Sequence, residues 1–303
     1  MKKPGYYILK VLLSALGHLP LKVLYALGDF ISWTARKLIH YREQVVTVNV
    51  ARSFPDLKYH EIKQIVKDFY RHFGELVAET LWFGGCTNPK RLVRQDLVRI
   101  EDASVLNHLY EVSPSVVILN THCGNWELFG GIGSYVPAGS DFKVKEENMC
   151  VVYKKMSSES WDAVLSGNRI APLLDREGFE GLIESQDIIR YMIRHRGEKK
   201  FYNFNNDQYP YAGSGKVDVG EFMHQQTYAM AAAANLARKF GMSVAYMNID
   251  RKRRGHYEMR FTSICEDASK METEDILKKY YELLQKDIEA NPGNYLWTHK
   301  RWK

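Results

Sequence analysis

A histidine that works as a base needs a carboxylate on one ring nitrogen, to fix the tautomer and hold the imidazolium that forms. Its second nitrogen must face the group that gives up a proton. The run Ser115-Val-Val-Ile-Leu-Asn-Thr121, followed by His122-Cys-Gly-Asn-Trp-Glu127, carries both residue types within one short stretch. Glu127 lies five positions after His122, which on a single helix would set the two about 140° apart. They meet only if His122 sits in a turn and Glu127 in the first turn of a following helix. Glu127 then accepts from one imidazole nitrogen, and backbone N–H groups near Gly124 and Asn125 converge where an oxyanion could be held. The competing reading is a buried histidine beside a glutamate that suits a helix N-terminus.

Asp207, in Asn206-Asp-Gln-Tyr-Pro210, closes what reads as a strand, at the edge of the sheet where α/β folds often place their sites. An Asx-type turn before Pro210 explains it equally well. Cys123 adjoins the histidine, but alternation along an extended chain turns successive side chains to opposite faces, which argues against a Cys–His dyad. The run Arg251-Lys-Arg-Arg254 reads as a soluble hairpin tip or a phosphate contact. Lys300-Arg-Trp-Lys303 suits a lipid headgroup interface or a plain capping segment. Cys86, Cys123, Cys150 and Cys265 have neither metal nor redox spacing, and no H-E-x-x-H pattern occurs, so no metal and no cofactor is expected. Free thiols fit a reducing compartment.

The elements that would position these residues follow from periodicity. Residues 115–121 are apolar and β-branched, as in a buried strand, and Trp126–Tyr135 reads as a helix. Helical spacing marks Thr47–Ser53 and Tyr59–Phe83, with Phe54-Pro55-Asp56 between them. Further strands are expected at Val98–Ile100, Cys150–Tyr153, Lys200–Asn205, Ser243–Ile249 and His256–Phe261. Further helices are expected up to Val112, and at Ser157–Leu165, Leu182–Arg194, Gln225–Phe240 and Thr273–Glu289. Tyr211–Gly220 reads as a Gly-rich loop. Strands alternating with helices argue for an α/β protein with a mixed central sheet flanked by helices. No repeat or low-complexity linker divides residues 41–303, which read as one catalytic domain.

Residues 1–40 differ. Tyr6 to Leu27 is mostly apolar, but His18, Pro20 and Lys22 interrupt it, which weakens a spanning helix. Residues 1–42 hold the cations Lys2, Lys3, Lys10, Lys22, Arg36, Lys37 and Arg42 against the single acid Asp29. That pattern fits an N-terminal helical membrane-associated segment on an anionic surface, with the body on the cytoplasmic side; a buried helical hairpin bent at Pro20 is the alternative. No cleavage site suggests a removed signal peptide. The overall charge of +6 is modest, and no nucleic-acid motif accompanies it.

Asn120-Thr-His-Cys-Gly-Asn-Trp-Glu127 resembles the H-x4-D/E motif of the lysophospholipid-acyltransferase superfamily. It is closer to the H-F-G-N-W-E block of the bacterial lipid A late acyltransferases, with Cys123 where an aromatic is common. The similarity continues through Asn206-Asp-Gln-Tyr-Pro210 to Pro292-Gly-Asn-Tyr-Leu-Trp-Thr-His-Lys-Arg-Trp-Lys303, which resembles the family's closing P-x-Q-Y-L-W-x-H-R-R-F-K. The resemblance implies transfer of a fatty acyl group from acyl carrier protein or coenzyme A to a hydroxyl of a membrane glycolipid, at the cytoplasmic face of the inner membrane. It implies His122 as base, Glu127 as its orienting partner, and a D-Q-x-P block around Asp207 lining the site. Arg169, in Gly167-Asn-Arg-Ile170, resembles the family's mid-chain arginine and would face a phosphate or the oxyanion; a solvated helix-end arginine is the plainer reading. Phe222–Ala234 lacks the glycine-threonine pattern usual before the following helix, which bears on chain and acceptor specificity. An E-G-T-R motif is missing, against glycerol-phosphate acylation. Acylation of an aminolipid or mannolipid, or lipid binding without catalysis, are the other readings.

Overall fold

The computed structural model describes residues 4–86, 89–136, 139–173 and 177–302. Lys2, Lys3 and Lys303, counted above among the basic residues, lie outside them. In chain order the helices are α1 (Pro4–Gly17), α2 (Leu21–Lys37), α3 (Glu43–Ser53), α4 (Tyr59–Gly84), α5 (Pro89–Gln95), α6 (Ser104–Val112), α7 (Glu159–Arg169), α8 (Ile188–Arg194), α9 (Ala232–Lys239) and α10 (Thr273–Ala290). The strands are β1 (Val98–Ile100), β2 (Val116–Asn120), β3 (Met149–Tyr153), β4 (Leu182–Glu184), β5 (Phe201–Asn205), β6 (Lys216–Phe222), β7 (Gln225–Met230), β8 (Ser243–Arg253) and β9 (His256–Cys265).

Seven strands form one sheet in the order β1-β9-β8-β2-β5-β3-β4. Its pairings are parallel except for the β8–β9 hairpin, so the sheet is mixed, as the alternation of elements implied. Helices cover both faces, which is why β2 is buried along its whole length and reads as an unbroken apolar run. On one face Val117, Leu119 and Cys123 pack with Phe69, Ala233, Tyr280 and Leu284. On the other, Val116 and Ile118 pack with Leu24, Trp82, Leu106 and Leu128.

Four expectations need correction, the first being the loop Tyr211–Gly220, which gives way to β6 at Lys216. Leu182–Glu184 is a short edge strand, and the helix begins only at Ile188. Gln225–Met230 is the second strand of a separate β6–β7 hairpin, and its helix starts at Ala232. The hairpin turns on Met223 and His224, both at positive φ (52° and 59°), between paired Phe222 and Gln225. Such a turn normally announces itself with Asn or Gly, so the signal was missing and the alanine run after it dominated. Trp126–Ser134 forms tight 3-10 turns rather than an α-helix.

The N-terminal helices break at His18-Leu19-Pro20. A Cβ on Gly28 of α2 would run into the carbonyl of Gly74 on α4, so the two backbones touch there. No helix among the described residues is long and apolar enough to cross a membrane. The outward sides of α1 and α2 nonetheless expose Val11, Leu12, Val23, Phe30 and Trp33, the last two rings stacked at 6.3 Å.

Candidate active site

Parallel pairing of β2 with β5 puts Asn120 opposite Asn205 and extends to a bond from the Asn206 N–H to the Asn120 carbonyl, 3.1 Å. His122 and Asp207 each lie two residues past those strand ends, so the register itself sets them side by side. The His122 Nδ1 meets Asp207 Oδ1 at 2.6 Å, and the His122 backbone N–H donates to Asp207 Oδ2 at 3.0 Å. Both carboxylate oxygens thus hold one residue, fixing its ring and its backbone. Asp207 is 1 % exposed. Burial alone would raise its carboxyl, but the His122 ring and the donated hydrogen bonds hold it below the ordinary aspartate range. With Nδ1 donating to the carboxylate, Nε2 carries the lone pair. It looks toward Gln208, whose Nε2 lies 3.2 Å away. Trp126 packs edge-on to the ring, centroids 4.6 Å apart.

Glu127, expected against the imidazole, lies elsewhere. Its carboxylate accepts from Arg169 Nε at 2.9 Å and Nη2 at 3.2 Å. The 3-10 turns after Asn125 carry Glu127 over toward the end of α7, where Arg169 also lies over the Tyr153 ring at 5.4 Å. Burial works against the Arg169 charge, yet the Glu127 carboxylate holds its pKa above the ordinary value. Arg169 is therefore a half-buried ion-pair partner, not a solvated helix end. Asp207 is the carboxylate on the histidine.

Gly124 and Asn125 are not among the residues that line the cavity with His122. Gly124 has φ 59°, and a Cβ there would collide with the Ile249 carbonyl, so only glycine makes this turn. Its N–H donates to the Asn294 carbonyl at 2.9 Å, and the His72 ring meets its carbonyl at 3.3 Å. The Asn125 amide donates to Glu79 Oε2 at 3.0 Å. An oxyanion site on the Gly124 N–H is therefore not what this turn offers.

The C-terminal block is part of the site. Tyr295 bridges antiparallel to Cys123, and the Leu296 N–H donates to the His122 carbonyl at 3.1 Å. Asn49 of α3 clamps the carbonyls of Trp297 and His299, both at 2.9 Å, and His299 accepts from the Tyr209 N–H at 3.1 Å. Arg301 is buried and donates to the Tyr228 carbonyl and the Tyr281 hydroxyl. Residues 295–301 thus form a capping strap over the His122 loop.

The basic run at the β8–β9 turn is likewise spoken for in part. Arg251 and Arg254 both bind Glu75 of α4, and Arg254 also binds Asp29 of α2. That cluster was missed, although His72, Glu75 and Glu79 recur at helical spacing on the packed side of α4 and could have been read as an internal polar stripe.

A cavity of about 870 Å³ opens at the ends of β2, β5 and β3. His122, Glu127, Arg169 and Gln208 line it, with Ile188, Phe204 and Met230 among its apolar wall. Asn203 and Asn205 also face it, and their amide oxygens are buried without a partner. Among the described residues no cluster of three or more potential metal ligands occurs. The site can thus take a proton, hold hydroxyl donors on a polar wall, and shelter a hydrocarbon chain.

The model of one protein family, described as bacterial lipid A biosynthesis acyltransferase, matches the chain over residues 1–303. No curated protein matches it.

Proposed function

The chain belongs to the bacterial lipid A biosynthesis acyltransferase family, and from that premise we propose that His122 and Asp207 are the base and its orienting carboxylate. The bidentate hold of Asp207 on His122 carries this reading, because it occupies Nδ1 and leaves Nε2 turned to the cavity. The acceptor hydroxyl attacks the carbonyl carbon of an acyl thioester, borne on acyl carrier protein or coenzyme A. As the C–O bond forms, the hydroxyl proton passes to His122 Nε2 and the carbonyl electron pair moves onto oxygen. The intermediate collapses with loss of the C–S bond, and the departing thiolate takes the proton back from the imidazolium. Asp207 stabilises that imidazolium without itself taking the proton.

The acceptor is a hydroxylated glycolipid, a lipid A precursor. Asn203, Asn205 and Gln208 line the cavity with the Glu127 carboxylate, a polar set that suits a molecule rich in hydroxyl groups. Glu127, steadied by Arg169, binds this acceptor rather than orienting the base. Residues 1–40 are the membrane-facing part and 41–303 the catalytic part. The exposed Phe30 and Trp33 rings would lie in the interface at the cytoplasmic side of the inner membrane. Mass spectrometry of lipid A from membranes incubated with the protein and lauroyl donor tests the proposal. An added acyl mass with wild type and none with His122→Ala is expected; an equal addition with both would sink it.

A further inference from the structure

Acyl transfer develops negative charge on the carbonyl oxygen, and something must donate to it. Around His122 three successive backbone donors are committed. The His122 N–H goes to Asp207, the Cys123 N–H to Thr121 Oγ1, and the Gly124 N–H to Asn294. Arg169 gives two of its donors to Glu127. Gln208 is different. Its side-chain amide sits 3.2 Å from His122 Nε2, and both residues line the cavity. Which end of the amide points there follows from the ring. Nδ1–H donates to Asp207, Nε2 is a lone pair, and only the NH2 end can face a lone pair attractively.

That arrangement cannot persist during turnover. The acceptor hydroxyl must come within about 2.6–3.2 Å of the same nitrogen to be deprotonated, so it takes the place of the Gln208 amide. The displaced NH2 group then stands next to the new C–O bond, within reach of the second oxygen on the same carbon. We infer that Gln208 is a catalytic residue: its side-chain amide, which caps His122 in the empty site, is handed to the thioester carbonyl oxygen when the acceptor binds and holds the oxyanion. The residue guards the base at rest and serves the intermediate in reaction. Its position one residue after Asp207 couples the two tasks, since the turn that aims the carboxylate at Nδ1 also aims the amide at Nε2.

The role rests on His122 being the base, and the test separates the two. Thiol release from lauroyl-coenzyme A and lauroyl-acyl carrier protein is followed in glycolipid-containing micelles for wild type, His122→Ala, Gln208→Ala and Gln208→Glu. Removing one oxyanion donor costs about 10²–10³-fold in kcat. Gln208→Ala is expected to lose that much with KM for the donor little changed, and Gln208→Glu, isosteric but without the donor, at least as much. Thermal unfolding of each variant near wild type shows the loss is not one of folding. Binding gives a readout apart from turnover. A dodecylphosphonate monoester, whose charged oxygens mimic the oxyanion, should bind Gln208→Ala at least tenfold more weakly. A non-reactive dodecyl thioether of coenzyme A should bind both proteins equally. If Gln208 were only a plug, Gln208→Ala would match or exceed wild-type kcat, and unchanged phosphonate affinity would accompany it; either result overturns the inference. Retained turnover in His122→Ala would instead remove the base assignment and this role with it.

Discussion

On the cavity side of the His122 loop, one carboxylate meets the imidazole and one amide faces the nitrogen left over. On the opposite side, two carboxylates of α4 gather amide, hydroxyl and guanidinium donors. Glu79 takes the Asn125 amide at 3.0 Å, the Tyr257 hydroxyl at 2.7 Å and the Tyr25 hydroxyl at 2.8 Å. Glu75 takes Arg251 and Arg254, with the His72 ring 3.6 Å away. The loop is therefore braced from behind by a dense hydrogen-bonded network and held by fewer partners in front. A group that must exchange partners during a reaction cannot be surrounded as Glu79 is. One that must hold a turn still cannot be as sparsely held as the free edge of His122.

The two rear carboxylates differ from each other as well. Burial pushes the Glu79 carboxyl up, and its neutral donors only oppose this. Burial also works against Glu75, but His72 and the guanidiniums of Arg251 and Arg254 bring it down to about 2. Burial thus pushes Glu79 up while Glu75 is held down, although they lie one helical turn apart. α2 joins this network through Tyr25 and Asp29, so it is fastened to the rear of the His122 loop.

The largest effect should fall on the front. Asp207→Asn keeps the shape but favours the wrong tautomer, and a loss of about 10³–10⁴-fold in kcat is expected. Glu127→Ala, which leaves the imidazole's partner in place, should lose at least tenfold less and raise KM for the acceptor. Steady-state kinetics on the two variants decides the matter; equal losses in kcat would return Glu127 to the base and erase the front side as described here.

The rear should fail in stability before it fails in rate. Glu79→Ala strands three buried donors without an acceptor, at about 3 kcal/mol or more in all. Glu79→Gln keeps an acceptor oxygen for those donors, so a smaller loss of about 1 kcal/mol is expected. Denaturant unfolding measures both, and kcat of the folded Glu79→Gln protein should stay within about threefold. A Glu79→Gln protein of full stability and no activity would place Glu79 in the chemistry and break the division.

Acid separates the two rear carboxylates. A carboxyl lowered in the folded state adds stability that is present above its unfolded pKa, near 4.5, and disappears as pH falls toward about 2. Wild type should lose about 2 kcal/mol over that window through Glu75. In Glu75→Gln the same window should be flatter, from a lower starting stability. Parallel acid limbs for the two proteins would show that Glu75 is not held down in this way.

How much of this the residues announced depends on the range of the signal. The β2 run and the turn after it were plain, because they rest on local apolar pattern and on one glycine. The partner of His122 was not. A spacing of five residues draws attention to Glu127, whereas Asp207 is 85 positions away in sequence and arrives through strand register alone. Asp207 was marked as lining the site, but its contact with Nδ1 needed the β2–β5 pairing. Gln208 was likewise marked only as part of the block lining the site, and the α4 stripe escaped because polar residues on a helix look solvated until the element packed against them is known. Cys150 and Val151 mark β3 plainly, while β4 and β7 are too short, or too poor in turn residues, to stand out.

The smallest effect should come from the residue nearest the base in sequence. Cys123 follows His122, and a thiol beside a histidine invites a covalent acyl-enzyme. Its side chain, however, belongs to the rear layer: it is 1 % exposed and packs in the apolar cluster with Val117, Leu119 and Tyr295. Burial, reinforced by the Asp207 charge, pushes the thiol far above its ordinary range, so the nucleophilic thiolate is suppressed. The bridge between Cys123 and Tyr295 fixes the backbone that turns it inward. Cys123→Ala should cost about 1 kcal/mol, the loss of a small buried group, and leave kcat within twofold. Intact mass after incubation with lauroyl donor alone should be unchanged, because direct attack needs the acceptor present. A stable acyl adduct on Cys123, lost together with turnover in Cys123→Ala, would mean that this side chain reaches the cavity, and the front and rear of the loop would no longer be separate.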